Sequence, residues 1–169
     1  MGCGSGGQTQ QLLKRYPHLQ ITGVDISSEQ IKQAEQNFSS IPEWKDKVKW
    51  VCGSIEDVHF EEKIDAVFIC WVLEHVTNPL ELLKQAKNVL KPGGTIFITE
   101  VYNHSFDYAP RVASFDTYFK AYNQLQIDMG GNPHIGPKLG NLLVDADYKN
   151  IKVIPSPNFH DKSTPESRQ

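Results

Sequence analysis

"GCGSGGQTQQLLKRYP", residues 2–17, poses the question that the rest of the chain answers. Gly2, Gly4 and Gly7 satisfy G-x-G-x-x-G, while Gly2, Gly4 and Gly6 satisfy G-x-G-x-G. Glycines so spaced allow a tight turn and let a ligand lie against backbone N–H groups at a helix N-terminus. The helix follows: Leu12, Leu13 and Tyr16 share one face, and Pro17 stops it. A strand ordinarily precedes such a loop, and here only Met1 does. The loop gains weight from "QITGV" (20–24), a short apolar run that ends at Asp25, about 20 residues past the glycines. A carboxylate there accepts both hydroxyls of a ribose. Read as local structure alone, the same residues are a glycine turn with Asp25 capping the next helix.

Beyond Asp25, helical and strand patterns alternate. "SSEQIKQAEQNF" (27–38) has Ser27 and Gln30 as a capping box and Ile31, Ala34 and Phe38 as its buried stripe. "KVKWVC" (47–52) and "IDAVFIC" (64–70) read as strands, the second fully buried. Asn78 and Pro79 open a helix over "PLELLKQAKNVL" (79–90), and "KPGG" (91–94) turns it into the strand "TIFITEV" (95–101). Residues 114–129 and 136–146 are expected to be helical, and "NIKVIP" (150–155) to be a last strand. Strands alternating with helices imply a doubly wound α/β domain, mostly parallel, with helices on both faces. Its expected extent is residues 1–155, leaving 156–169, "SPNFHDKSTPESRQ", as a polar loop or tail.

The composition excludes several classes. A formal charge of -3 with scattered basic residues offers no surface for nucleic acid. The longest apolar run, "AVFICWVL" (66–73), is far too short to span a membrane, and no hydrophobic leader precedes the glycines. Three cysteines without C-x-x-C spacing fit a reduced cytoplasmic chain better than a disulfide scaffold. Neither they nor the 6 scattered histidines suggest a metal site.

The ordered series of motifs resembles the class I S-adenosylmethionine-dependent methyltransferases over nearly the whole chain. "GCGSGG" is similar to their glycine-rich first motif, "TGVDIS" (22–27) to the second, "VCGSIEDV" (51–58) to the third. "DAVFICWVLEHV" (65–76) and "LKPGGTIFITE" (90–100) resemble the fourth and the turn after it. The resemblance implies a Rossmann-like fold and S-adenosylmethionine as cofactor. It assigns Gly2, Cys3, Gly4 and Gly6 to the cofactor loop, Asp25 to the ribose and Ile26 to the adenine. Ser54 and the Ile55 amide would meet the adenine edge, and the Cys70 carbonyl the cofactor's ammonium. Trp71 would cover the methionine part or wall the substrate pocket. Methyl transfer is an in-line displacement that asks mainly for positioning and exclusion of water. His75 is the candidate to take a proton from a hydroxyl or amine acceptor, set against a plain turn role.

Substrate choice in this family usually comes from the segment after the "TIFITE" strand. Here residues 102–134 carry Tyr102, Phe106, Tyr108, Phe115, Tyr118, Phe119 and Tyr122, an aromatic lid or simply a helix covering the sheet. Tyr102, Phe106 and Tyr108 are substrate candidates, with His104, Arg111 and His134 for an acidic group on a small-molecule acceptor. The family pattern places an apolar strand and an acid before the glycines, often an acid at Ser54, and an antiparallel strand at the end. This sequence shows none of these. The chain is therefore expected to lack the first central strand and the last antiparallel strand, to be at best partly folded, and to bind cofactor weakly or not at all as it stands. Two other readings stay open: an NAD(P)-dependent oxidoreductase, which the glycines and Asp25 permit, and a non-catalytic remnant of the methyltransferase fold.

Overall fold

The computed structural model describes residues 1–55 and 58–157. Nine elements run in order: α1 Gly7–Arg15, β1 Ile21–Asp25, α2 Ser28–Ser39, β2 Val48–Cys52, β3 Ile64–Cys70, α3 Pro79–Val89, β4 Leu90–Thr99, α4 Ala113–Asp128 and α5 Leu139–Asp145. Short 3-10 turns at Pro42–Trp44, Leu73–His75, Asn103–Ser105 and Gly136–Lys138 link them. The helix starts follow the sequence signals. Ser27 Oγ accepts from Gln30 N at 3.3 Å, and Asn78 Oδ1 accepts from Glu81 N at 3.2 Å ahead of Pro79. Each satisfies an amide that the first helical turn leaves without a partner.

The strands form two parallel pairs, β1 with β2 and β3 with β4. β1 registers Ile21 against Val48 through Asp25 against Cys52; β3 registers Ala66 against Thr95 through Cys70 against Thr99. Between the pairs lies a gap crossed at one end by residues 1–3. The Met1 ammonium donates to Phe68 O at 2.9 Å, and Cys3 N donates to Val24 O at 3.0 Å. Those three residues therefore stand where a strand between β1 and β3 would end, as the sequence led us to expect. Both β-α-β units step away from the gap, in opposite directions. Right-handed crossovers then put α2 and α3 on opposite faces, which is the doubly wound arrangement.

Two apolar clusters result. Val67 and Ile69 of β3 pack with Leu83 and Ala86 of α3 and with Leu73, Ile135 and Ala146. Leu13, Phe38 and Trp44 form the other, flanked by Ile21, Val48 and Trp50. Alternation along β4 sends Ile96 and Ile98 into the first cluster and leaves Phe97, 55% accessible, on the opposite face.

Three expectations are corrected. "KPGG" does not separate the helix from the strand but sits inside β4, which already begins at Leu90, opposite Ile64. The pairing resumes at Ala66 and Thr95, so residues 91–94 bulge out with Gly93 at φ 79°. "NIKVIP" forms no strand among the described residues; Val153 and Ile154 are exposed, and β4 pairs only with β3. The outer edge of β4 therefore stays unpaired among the described residues. The aromatic residues of α4 do not cover the sheet, because Gln126 is the helix's one buried residue. Residues 158–169 of the expected tail lie outside the described residues.

Candidate functional site

All three loop glycines adopt left-handed backbone, with φ 63° at Gly2, 51° at Gly4 and 87° at Gly6, where a Cβ is disfavoured. Their surroundings separate them. A Cβ on Gly2 would stand 2.3 Å from Val72 Cγ2, and one on Gly6 2.9 Å from Phe38 and 3.0 Å from Trp50. Packing demands those two glycines. A Cβ on Gly4 would meet only Gln30 Oε1, at 3.7 Å, so the backbone of Gly4 presents an open face. Directly behind it α1 begins with no side-chain cap, its first-turn amides directed toward the loop.

Asp25 sits at the carboxyl end of β1 and ties this loop to the next helix. Its Oδ2 accepts from Gly4 N at 2.8 Å and its Oδ1 from Ser27 N at 2.9 Å. A carboxylate has about four acceptor positions, so capacity for further donors remains. Ile26 beside it is 80% accessible. Gly53 N donates to Asp25 O at 2.9 Å and Cys52 Sγ to Ile26 O at 3.8 Å, which draws the Ser54–Ile55 segment to the same end. The Ile55 side chain is buried, and Ser54 beside it is half-buried. Cys3 lies between the loop and β1, and its thiol is pushed up to about 11 by burial and by the nearby Asp25 carboxylate.

Across the gap, the turn after β3 is held by a residue that sequence reading missed. Glu100, just past β4, accepts from Val72 N at 2.9 Å and from Leu73 N at 2.7 Å, both on Oε1. Burial drives its carboxyl above the usual carboxylate range, against the pull of those amides, and Glu74 adds to the rise. Cys70, at the end of β3, is raised likewise by burial and by Glu100. The pinned turn carries Trp71 in left-handed backbone, φ 56°, with its side chain exposed. A non-glycine residue held there is strained, and such strain gathers at ligand sites.

His75 follows in the 3-10 turn. Its Nε2 lies 3.6 Å from Glu74 Oε1, and its Nδ1 lies 3.4 Å from Gln126 Nε2. Gln126 also donates to Glu74 Oε2 at 2.8 Å and to Glu74 O at 3.1 Å. The backbone of Gly131 comes close to this knot: a Cβ there would stand 2.4 Å from Glu74 O. Neither Gln126 nor Gly131 bears a sequence signal. A glutamine inside a helix reads as solvent-facing, and only the fold turns it inward.

The substrate candidates separate into two groups. Tyr102, His104 and His134 meet where residues 101–103 clasp residues 133–136, through Asn103 N to Pro133 O at 3.0 Å and Gly136 N to Val101 O at 2.8 Å. The His104 and His134 rings are 3.7 Å apart, with Tyr102 edge-on to His134. Phe106 and Tyr108 instead pack with Phe115 at 5.8 and 4.8 Å, and Phe106 with Phe119 at 5.0 Å. Arg111 is engaged by Asp107 and Asp116 and lies over the Tyr108 ring. Its guanidinium is thus already paired, contrary to its expected readiness for an acidic substrate.

An open glycine backbone, a helix N-terminus and a strand-end carboxylate, gathered at the carboxyl ends of a parallel sheet, define a Rossmann-like ligand site. The comparisons with known proteins narrow that class. The family model described as "Methyltransferase domain" matches residues 1–98, and the chain belongs to this family. It is 29% identical over 127 residues to the mitochondrial ubiquinone biosynthesis O-methyltransferase of Candida albicans, a match covering 75% of this chain and 37% of that protein. It is 30% identical over 106 residues to the malonyl-[acyl-carrier protein] O-methyltransferase of Priestia megaterium, covering 63% and 37%. The chain thus matches little more than a third of either relative. Among solved structures it resembles the plantazolicin methyltransferase BpumL, determined with a pentazolic desmethylPZN analog and SAH. That likeness has a TM-score of 0.61 at 21% identity, covering 85% of this chain and 52% of that one, and it shows the fold. Among the described residues no helix is long and apolar enough to cross a membrane, and no group of three or more potential metal ligands is found.

Proposed function

We propose that this chain is the cofactor-binding core of an S-adenosylmethionine-dependent methyltransferase that acts on a small-molecule acceptor. The observation that carries the reading is the open backbone of Gly4 set against the Asp25 carboxylate. Packing requires glycine at positions 2 and 6, but nothing in the packing fills the space over Gly4. A bound nucleoside fits that cradle. Asp25 would take the ribose hydroxyls on its remaining lone pairs, Ile26 would lie against the adenine, and Ser54 with the Ile55 amide would meet its edge. The Cys70 carbonyl and Trp71 would hold and cover the methionine end. When bound, the cofactor supplies an activated methyl group on a sulfonium. The chain's own share is to orient the acceptor, exclude water and, through His75, receive a proton. The names of the two O-methyltransferase relatives favour an oxygen acceptor, and the free cysteines suit a cytoplasmic setting.

The experiment is a calorimetric titration with S-adenosylmethionine and, separately, with NAD, run on the chain extended ahead of Met1 by an apolar strand that ends in aspartate. Binding of the first and not the second is expected. Asp25→Ala should weaken it by about 1.5–3 kcal/mol, typical of hydrogen bonds to a charged group. Preference for NAD would transfer the chain to the oxidoreductase reading, and unchanged affinity in Asp25→Ala would remove Asp25 from the site.

A further inference from the structure

A hollow of about 240 Å³ opens between the 73–75 turn and α4, lined by His75, Tyr122, Leu125, Gln126, Met129 and Gly131. We propose that this hollow is the acceptor site, that it takes a neutral, flat, single-ring hydroxyl compound of the phenol class, and that Glu74 and Gln126 position His75 as the base for that hydroxyl. The proposal rests on the methyltransferase reading and names its substrate class.

Size and lining come first. An apolar cavity of roughly 150 Å³ accommodates benzene, so this one, open to solvent beside the exposed Leu125 and Met129, has room for a substituted ring. Its walls are largely apolar: the Tyr122 ring, Leu125 and the flexible thioether of Met129. Its polar end is His75 with the Gln126 amide. No lysine or arginine lines it, and the Glu74 carboxylate stands directly behind His75. An anionic acceptor would meet no cation and a buried acid, whereas a neutral hydroxyl meets a base.

The polar end is built rather than incidental. Glu74 and Gln126 are both buried, and their side chains are joined at 2.8 Å. Glu74 Oε1 faces His75 Nε2, which favours the tautomer carrying its proton there and leaves Nδ1 as the basic nitrogen. Gln126 Nε2 touches that Nδ1, and Gln126 Oε1 is buried with no hydrogen-bond donor among the described residues. The same glutamine, the one buried residue of α4, pins that helix to the turn that bears His75. On transfer, the acceptor's O–H bond breaks and its proton passes to His75. The electron pair stays on oxygen and forms the new bond to the methyl carbon, while the pair of the broken S–C bond returns to sulfur.

The test uses the whole chain, with phenol, benzoate and S-adenosylmethionine as separate probes and the His75 ring followed by NMR. Phenol should bind and move the His75 ring signals, and benzoate should bind at least tenfold more weakly. Leu125→Trp, which fills the hollow from an exposed position, should weaken phenol at least tenfold and leave S-adenosylmethionine within twofold. Met129→Trp, on the same wall, serves if the first variant misfolds. In Glu74→Gln the imidazole nitrogen signals should shift away from the Nε2–H form, which a purely structural role would not cause. Phenol affinity untouched by either tryptophan, benzoate binding better than phenol, or an unmoved His75 signal overturns the assignment. Phenol binding without S-adenosylmethionine binding, in the chain and in a form extended by an apolar strand alike, would instead sink the methyltransferase reading while leaving the hollow as a phenol site.

Discussion

An apolar five-residue strand fused ahead of Met1 and ending in aspartate is expected to enter the gap between β1 and β3 and stabilise the whole domain. Each of those strands has one edge without a β partner, and both already bond to residues 1–3 at one end of the gap. A parallel strand between them is buried on both faces. Five apolar side chains at about 1.5–3 kcal/mol each contribute roughly 8–15 kcal/mol. Ordering five residues costs about 1.5 kcal/mol each, or roughly 7–8 kcal/mol. A net gain of about 0–8 kcal/mol remains before backbone pairing is counted, and at about 2–4 °C per kcal/mol a mid-range gain raises Tm by roughly 8–16 °C. The fusion also turns the Met1 ammonium, which burial already makes reluctant to hold its charge, into an amide, and places a carboxylate beside the glycine loop. Thermal unfolding followed by circular dichroism, paired with S-adenosylmethionine titration, reads both effects. A control extension with proline at its centre cannot join the ladder. If the apolar extension leaves Tm and cofactor affinity where the proline control leaves them, the gap is not a strand site and the reasoning fails.

Gly4→Val should abolish cofactor binding at a folding cost of about 1–2 kcal/mol for the left-handed backbone, whereas Gly6→Ala should impair folding itself, because its Cβ meets Phe38 and Trp50; normal cofactor titration by Gly4→Val would reduce the glycines to a turn. Phe106→Ala, at a half-exposed aromatic position, should cost about 1–2 kcal/mol, less than the roughly 3–5 of a full core truncation. It should alter acceptor turnover with cofactor affinity unchanged, and equal losses in both would point to packing alone. The His134 imidazole is held below its ordinary value by burial, then by His104, with Lys138 adding to the effect. A depressed folded value means that the clasp contributes stability above about pH 6.5 and loses it as pH falls through the folded value. Tm should therefore drop between pH 7.5 and 5 by more in the native chain than in His134→Phe, and parallel profiles would refute the role of the pair.

Local patterning carried most of the fold. Ser27, Asn78 and Pro79 mark helix starts by hydrogen bonds that span a single turn, and composition announces the strand at 64–70, although only Val67 and Ile69 are buried rather than the whole run. What sequence could not show depends on distant partners. "NIKVIP" has the alternation of a strand, but alternation names no pairing partner, and the outer edge of β4 stays unpaired among the described residues. "KPGG" has turn chemistry, yet Leu90 ahead of it pairs with Ile64, so the turn became a bulge. At the site, Gly4 and Asp25 were legible from their spacing, since one hydrogen bond closes that distance. Arg111 appeared available until Asp107 and Asp116 were placed beside it. Gln126 and Glu100 act through residues that tertiary packing brings to them, Glu74 on one side and the Val72–Leu73 amides on the other.

Cys3 gives the glycine loop a chemical reporter. Only a thiolate attacks alkylating reagents at an appreciable rate, and a thiol near 11 supplies almost none at neutral pH. Cys52 is exposed and takes the first label. With Cys52 and Cys70 replaced by serine, the slow labelling of Cys3 becomes a clock for opening of the loop. A ligand seated over Gly4 slows that clock without any need to detect turnover.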